Sequence, residues 1–474
     1  MKRQSDRGRG LSRRAFVQRG TLFTLGFAGF RKLVETPAWA ASTERKLKLE
    51  DDFYGIMDLL PGFNYEVLSE VGERMNDGLL VPGKHDGMGA FAGPNGRTIL
   101  VRNHEVEAGA SDQGPFGSSR ANFRKVPRMK FYDAGKGKKP GLGGTTTIVY
   151  DTREKRLERH FLSLVGTYRN CAGGVTPWNT WITCEEDVSS PNADGTNSDD
   201  PMEKEHGYNF EVPATDQIRL IDPMPLKAMG RFRHEAVAVE PKSGVVYQTE
   251  DRSDGLFYRF VPNKPGELLA GGRLQALRLK DATAADTRNW RNKTFQVGQS
   301  LPVEWAELEN VESPDDDLRY QGYFEKGAAR FGRGEGCWYG NQAVYFVSTS
   351  GGSKRKGQVW RYTPSPAEGA DNEKMQPARL ELFIEPNDGN LVENADNLTV
   401  APWGDLILCE DGPGAQFLLG VTPEGRTYQL GRTTLSELAG ACFSPDGSTL
   451  FVNIYNPGMT LAITGPWESL RPRA

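Results

Sequence analysis

Three times in the later part of the chain an apolar run, a turn bearing proline and glycine, and a second apolar run follow one another, at residues 236–251, 398–411 and 441–453. A segment of this form is a β-hairpin, and hairpins recurring along one chain point to a β-propeller. Its blades take about 40 to 50 residues each, and its loops gather at a central funnel. The expected fold is an all-β propeller with loop and helical insertions over the funnel. Composition agrees: 474 residues bury a large core, and 55 Gly, 29 Pro, 9 Trp, 15 Tyr and 23 Phe favour many short strands over long helices. Lys plus Arg (58) nearly balances Asp plus Glu (62), so nothing argues for a nucleic-acid partner.

The second apolar run of these hairpins tends to end in acids: Thr249-Glu250-Asp251 and Cys409-Glu410-Asp411. The same ending closes Gly166 to Asp187, where Arg169-Asn170-Cys171-Ala172-Gly173-Gly174 leads through an alternating strand to Glu185-Glu186. A soft thiolate beside hard oxygen ligands suits a site for more than one kind of metal ion. Alternation puts Glu185 and Glu186 on opposite faces, so both reach one site only if the strand bends or ends there. Thr98 to Arg102 likewise reads as a strand ending in Asn103-His104-Glu105, and acidic residues 194, 199 and 200 lie in a loop that either holds calcium or faces water. Arg333, two residues from Glu335 among glycines, is placed to clamp an oxyanion at a metal held by that carboxylate.

Five cysteines, 171, 184, 337, 409 and 442, are an odd number without a Cys-x-x-Cys pair. Cys184, Cys337 and Cys409 read as small buried strand residues, whereas Cys171, in a glycine turn, reads as a ligand.

Residues 1–40 carry the marks of a twin-arginine export signal: Ser12-Arg13-Arg14-Ala15-Phe16-Val17, a mildly apolar run to Phe30 too short to span a bilayer, and Ala38-Trp39-Ala40 as a cleavage pattern. Removing them takes away nine basic and two acidic residues, so the net charge falls from −4 to −11, which suits a cation-binding protein. Residues 41–474 then form one propeller domain, with a polar, partly helical insertion around 262–330. The expected location is periplasmic or secreted, reached through the twin-arginine machinery, with no stable membrane anchor and a monomeric state.

Arg-Asn-His-Glu (102–105), Asn-Cys-Ala-Gly-Gly-x-Thr-Pro-Trp (170–178), Thr-Cys-Glu-Glu (183–186), His-Gly-Tyr (206–208), Arg-Phe-x-His-Glu-Ala (231–236), Thr-Glu-Asp (249–251), Arg-x-Glu-Gly-Cys-Trp-Tyr (333–339), Asp-Asn-Leu (396–398) and Cys-Glu-Asp-Gly (409–412) occur in this order. Jointly they resemble the PhoX family of bacterial alkaline phosphatases over most of the mature chain. The resemblance implies a six-bladed propeller whose funnel holds two ferric ions (Fe3+) bridged by an oxo group, together with calcium (Ca2+). It implies Cys171 as the iron-bound thiolate, with Glu185 or Glu186, Glu235, Glu250, Glu335 and Glu410 as further metal ligands and Asp396 as another. Arg333 is the implied phosphate-binding arginine and Asn103 a phosphate contact, while Lys354 and Lys356 do not align with a second phosphate-binding cation.

The implied activity is metal-dependent hydrolysis of phosphomonoesters to inorganic phosphate. No serine or histidine stands in a nucleophile motif, so an oxo or hydroxo group held by metals is the expected attacking group. Two other classes use a similar scaffold. A phosphodiesterase or a calcium-dependent lactone or ester hydrolase would need the carboxylates, and a non-catalytic calcium-binding propeller would need neither Cys171 nor Arg333.

Overall fold

The three hairpins are present in the computed structural model, which describes residues 48–191, 200–313, 316–386 and 392–470: His234–Val239 with Val246–Glu250, Ala395–Val400 with Leu406–Glu410, and Leu438–Phe443 with Thr449–Ile454. The export signal and its cleavage site lie outside the described residues. Among the described residues there are 25 strands and one α-helix, the five-residue Asp316–Tyr320, and no helix is long and apolar enough to cross a membrane. The architecture is all-β and propeller-like.

Six strands form a ring: His85–Ala92, Asn170–Val175, His234–Val239, Gly334–Gly340, Ala395–Val400 and Leu438–Phe443. Each touches the next, and the last touches the first. Each is also an edge strand of its sheet, from which further antiparallel strands run outward. The ring strands approach one another at backbone distance, and small residues make this possible. A Cβ on Gly87 would lie 2.5 Å from Ala172 Cα, and one on Gly336 would lie 2.6 Å from the Asp396 carbonyl oxygen.

Two chain ends close the ring. The early strand Asn64–Glu70 pairs with Met459–Thr464 in the sheet that Leu438–Phe443 begins. Elsewhere two units share one nine-stranded sheet, because Ser300–Glu307 pairs with Gly272–Leu279 on one side and Arg379–Ile384 on the other. The stretch 262–330 is therefore mixed. Its first strand, Gly272–Leu279, belongs to a regular sheet, Ser300–Glu307 ties two units together, and the helix Asp316–Tyr320 follows. Between those units the core is aromatic, with Phe257 stacked on Phe346 at 4.1 Å beside buried Tyr247, Trp360 and Tyr362.

All six ring strands carry the same irregularity. The register against the second strand of the sheet shifts between His85 and Met88, Asn170 and Gly173, His234 and Val237, Gly334 and Cys337, Ala395 and Leu398, and Ala439 and Cys442. A bulge re-aims the side chain it carries. The first residues inside the six bulges are Asp86, Cys171, Glu235, Glu335, Asp396 and, with no side chain to aim, Gly440, in that order around the ring. Cys171 thus lies inside a strand rather than in a turn, and the bulge supplies the freedom that its glycine neighbours suggested. All five cysteines are buried and free.

Candidate metal centre

The bulges bring ligand atoms together in three overlapping groups: Cys171, Glu186 and Glu235; Glu235, Glu335 and Asp396; and Asp396, Asp411 and Glu437. Within each group the atoms lie within 4.8 Å of one another. Glu235 and Asp396 belong to two groups each, so the three form a chain across the ring. Cys171, Glu186, Glu235 and Glu335 are buried, and Asp396, Asp411 and Glu437 are partly open.

Electrostatics show how short of positive charge this centre is. Burial, reinforced by neighbouring acids, pushes the carboxyls of Asp86, Glu235, Glu335 and Glu437 well above the ordinary carboxylate range. Burial and Asp411 push Asp396 up to about 8, and burial pushes Glu186 up to about 8 although Arg169 opposes it. The Cys171 thiol is raised by burial and by Glu235, and its Sγ lies 3.3 Å from the His234 carbonyl oxygen. Buried like charges of this density remain ionised only with added cations. The donor set therefore fits multivalent metal ions.

Three arginines stand at the edge of the centre, each immediately before a ring strand. Arg333 donates from Nε and Nη2 to Asp251 at 2.8 Å each, and its Nη2 lies 2.6 Å from Glu335. Arg169 donates to Glu105 at 2.6 Å and to Glu186 at 2.5 Å. Arg233 Nη1 lies 4.0 Å from Glu186. Both Arg169 (φ 46°) and Arg333 (φ 55°) hold left-handed backbone conformations, which cost energy for a non-glycine residue and often mark functional positions.

The structure separates the sequence candidates. Cys171, Glu186, Glu235, Glu335 and Asp396 come together, with Arg333 beside them. Glu185 points away and is saturated: it takes backbone N–H bonds from Tyr168, Gly207 and Tyr208 and the Nδ1 of His206 at 2.7 Å. Glu250 is held by Arg319, Tyr258 and the Leu256 N–H. Glu410 accepts from the Glu393 and Phe417 N–H groups. Asn103 is fully buried; its Nδ2 donates to the carbonyls of Cys171 (3.0 Å) and Ala172 (2.7 Å), and its Oδ1 accepts from Trp181 Nε1. It sets the backbone that carries the thiol.

Sequence reasoning missed Asp86, Asp251, Asp411 and Glu437 as members of the acidic lining, and Arg169 and Arg233 as its cations. A signal was available. Lys84-His-Asp86, Arg169-Asn-Cys171, Arg233-His-Glu235, Arg333-Gly-Glu335 and Asn394-Ala-Asp396 repeat one spacing at the start of five ring strands.

The sequence model of the alkaline phosphatase PhoX family matches residues 44–458. Among solved structures, Pseudomonas fluorescens PhoX in complex with vanadate, a transition state analogue, superposes with a TM-score of 0.64 at 18% identity over 89% of this chain and 97% of that one. A gluconolactonase from Xanthomonas campestris aligns with a TM-score of 0.38 at 12% identity over 85% of this chain and 96% of its own. No curated protein matches. The chain belongs to the alkaline phosphatase PhoX family, and is a phosphoric monoester hydrolase.

Proposed function

We propose that this chain is a metal-dependent alkaline phosphatase that releases inorganic phosphate from small phosphomonoesters outside the cytoplasm. The observation that carries this reading is the chain of three ligand groups joined by Glu235 and Asp396, with Arg333 at its edge.

Donor softness assigns the ions. The group holding Cys171, with Glu186 and Glu235, suits iron, for which a thiolate is a good ligand and which calcium would not select. The all-oxygen group of Asp396, Asp411 and Glu437 suits calcium. Glu235, Glu335 and Asp396 would link the two. Ions bound there would neutralise the phosphoryl oxygens, activate an oxygen nucleophile and stabilise the leaving oxygen.

The protein's own residues then have distinct parts. Asp251 takes the Nε and Nη2 edge of the Arg333 guanidinium and holds it in one orientation, which leaves its Nη1 side to meet phosphoryl oxygens. Arg169 is a second cation at the same edge, a part that Lys354 and Lys356 did not fill. Asn103 keeps three hydrogen bonds in place and acts on the substrate through the position of Cys171 rather than by touching phosphate.

Six edge strands arranged in a ring support six blades. The twin-arginine pattern in residues 1–40 supports export to the periplasm or beyond.

Hydrolysis of a chromogenic phosphomonoester at alkaline pH, run with calcium, after chelation and after calcium is restored, tests the reading. Turnover lost and regained supports it. No turnover by iron-containing protein, or turnover of a diester or lactone in its place, refutes it.

A further inference from the structure

Beside Arg333 lies a stacked aromatic and guanidinium platform that the metal centre does not use. Trp290 is half-buried, and the guanidinium carbons of Arg288 and Arg355 each lie 4.0 Å from the centroid of its ring. The two arginines differ. Arg288 is buried and held by Asp286 through two bonds of 2.7 Å and by the Ser253 carbonyl at 2.8 Å. Arg355 is exposed, and among the described residues no carboxylate pairs with it. One face of the stack is therefore fixed by the fold, while a cationic plane is left open to solvent.

The platform is built onto the edge of the phosphate site. Trp290 Nε1 donates to the Ser350 carbonyl at 2.6 Å, and the Ser350 N–H donates to the carbonyl of Gly332, the residue before Arg333. The Thr349 N–H donates to the Arg333 carbonyl at 3.0 Å. A Cβ at Gly332 would lie 3.4 Å from Trp290 Cζ2, so the indole rests against the chain segment that presents Arg333. The chain segment that presents Arg333 therefore also carries the platform.

We propose that Arg355, stacked on Trp290, is a specificity-determining residue that receives the planar aromatic leaving group of a phosphomonoester. Two sources share that chemistry, nucleoside monophosphates and aryl phosphates. A guanidinium plane backed by an indole accepts either ring by stacking. The inference rests on the phosphomonoesterase reading of the adjacent centre and names its substrate class.

The test compares adenosine 5′-monophosphate, phenyl phosphate and glycerol 3-phosphate as substrates of the metal-loaded enzyme and its Arg355→Ala and Arg355→Lys variants. Calorimetric binding of the non-hydrolysable phosphonates of the same three leaving groups runs in parallel. Arg355→Ala should raise KM and weaken phosphonate binding about two- to fivefold for the aromatic compounds and leave the glycerol compound unchanged. Arg355→Lys, which keeps the charge and loses the plane, should not restore the aromatic preference. An effect on the adenosine compound alone makes the site a nucleobase subsite; an effect on both rings makes it a general aryl subsite. Equal weakening of all three ligands, recovery by lysine, or no change in any would overturn the proposal. If the wild-type protein turns over none of the three but its phosphonate preference is lost in Arg355→Ala, the subsite stands and the phosphatase reading falls.

Discussion

Replacing Glu235 by Gln should have opposite effects with and without metal. Glu235 lies within 4.8 Å of Cys171 and Glu186 in one ligand group and of Glu335 and Asp396 in another. Two unit charges at that distance interact with about 3 kcal/mol at an effective dielectric constant of roughly 20. In protein stripped of metal each ionised neighbour repels Glu235 by that order, and burial adds to the cost of its charge. Its carboxyl is raised in the folded state, so the folded protein keeps a proton that the unfolded chain gives up. Stability of the stripped protein therefore falls as pH rises above the ordinary carboxylate range toward the folded value.

At pH 4, within the ordinary carboxylate range, folding takes up little extra proton at Glu235 and the amide is close to isosteric with the protonated acid, so Glu235→Gln should change little. At pH 9 the amide removes a group whose charge the neighbouring acids oppose in the folded protein, and should stabilise the stripped protein by at least about 3 kcal/mol. For a chain of this length that is roughly a 3 °C rise in Tm. In metal-loaded protein the same substitution removes a ligand from two groups and should lower Tm by at least as much. Thermal unfolding of both proteins at pH 4 and pH 9, with metal content measured on each sample, reads all the arms. A Glu235→Gln variant that loses the same stability with and without metal would refute the reasoning.

Arg333→Lys exchanges a fork for a point charge and should lower kcat/KM for phosphomonoesters by about ten- to a hundredfold with Tm unchanged; a change within twofold in steady-state kinetics would deny its part in binding phosphate. His206 is buried between Glu185 and Asp133; burial alone would lower its pKa, and the charge of Glu185 with the Asp133 hydrogen bond outweighs this and pushes it up to about 9. A His pKa raised on folding gives stability that is fully present below about pH 6.5 and lost as pH rises through about 9. His206→Gln should therefore cost on the order of 3 kcal/mol at pH 6 and progressively less toward pH 10 in denaturant titrations, and a pH-independent cost would contradict the buried ion pair. Gly336→Ala places a methyl group against the Asp396 carbonyl and should cost about 1–3 kcal/mol and weaken calcium binding; calorimetry showing wild-type calcium affinity would oppose it.

The hairpins were legible because alternation and turn residues are local, and so were the ligands that follow a basic residue by two positions. Which acid of a strand-end pair enters the centre was not legible. Glu185, Glu250 and Glu410 each pair across the first position of a ring strand and are bound to loops or neighbouring side chains, whereas Glu186 and Asp411 enter the ligand groups and Asp251 steadies Arg333. The choice depends on where the second strand ends relative to the bulge in the first, a register that no single strand encodes. Asn103 was expected to contact phosphate on the strength of the family resemblance, and its place at a strand end does not show what it bonds. Its partners, the Cys171 and Ala172 carbonyls, come from a neighbouring sheet some 68 residues away in sequence. Glu437 lies at the end of the loop that leads into the ring strand Leu438–Phe443, and closure of the ring brings it to Asp396 and Asp411.

The central claim is that Cys171 binds iron in a carboxylate-rich centre that hydrolyses phosphomonoesters. Its most direct test is elemental analysis with a visible absorption spectrum of the wild-type protein and of Cys171→Ala, each purified after export. The account predicts iron and a thiolate-to-iron absorption band in the wild-type protein, and loss of the band together with loss of turnover in the variant. A variant that keeps its iron, its band and its activity would contradict the account.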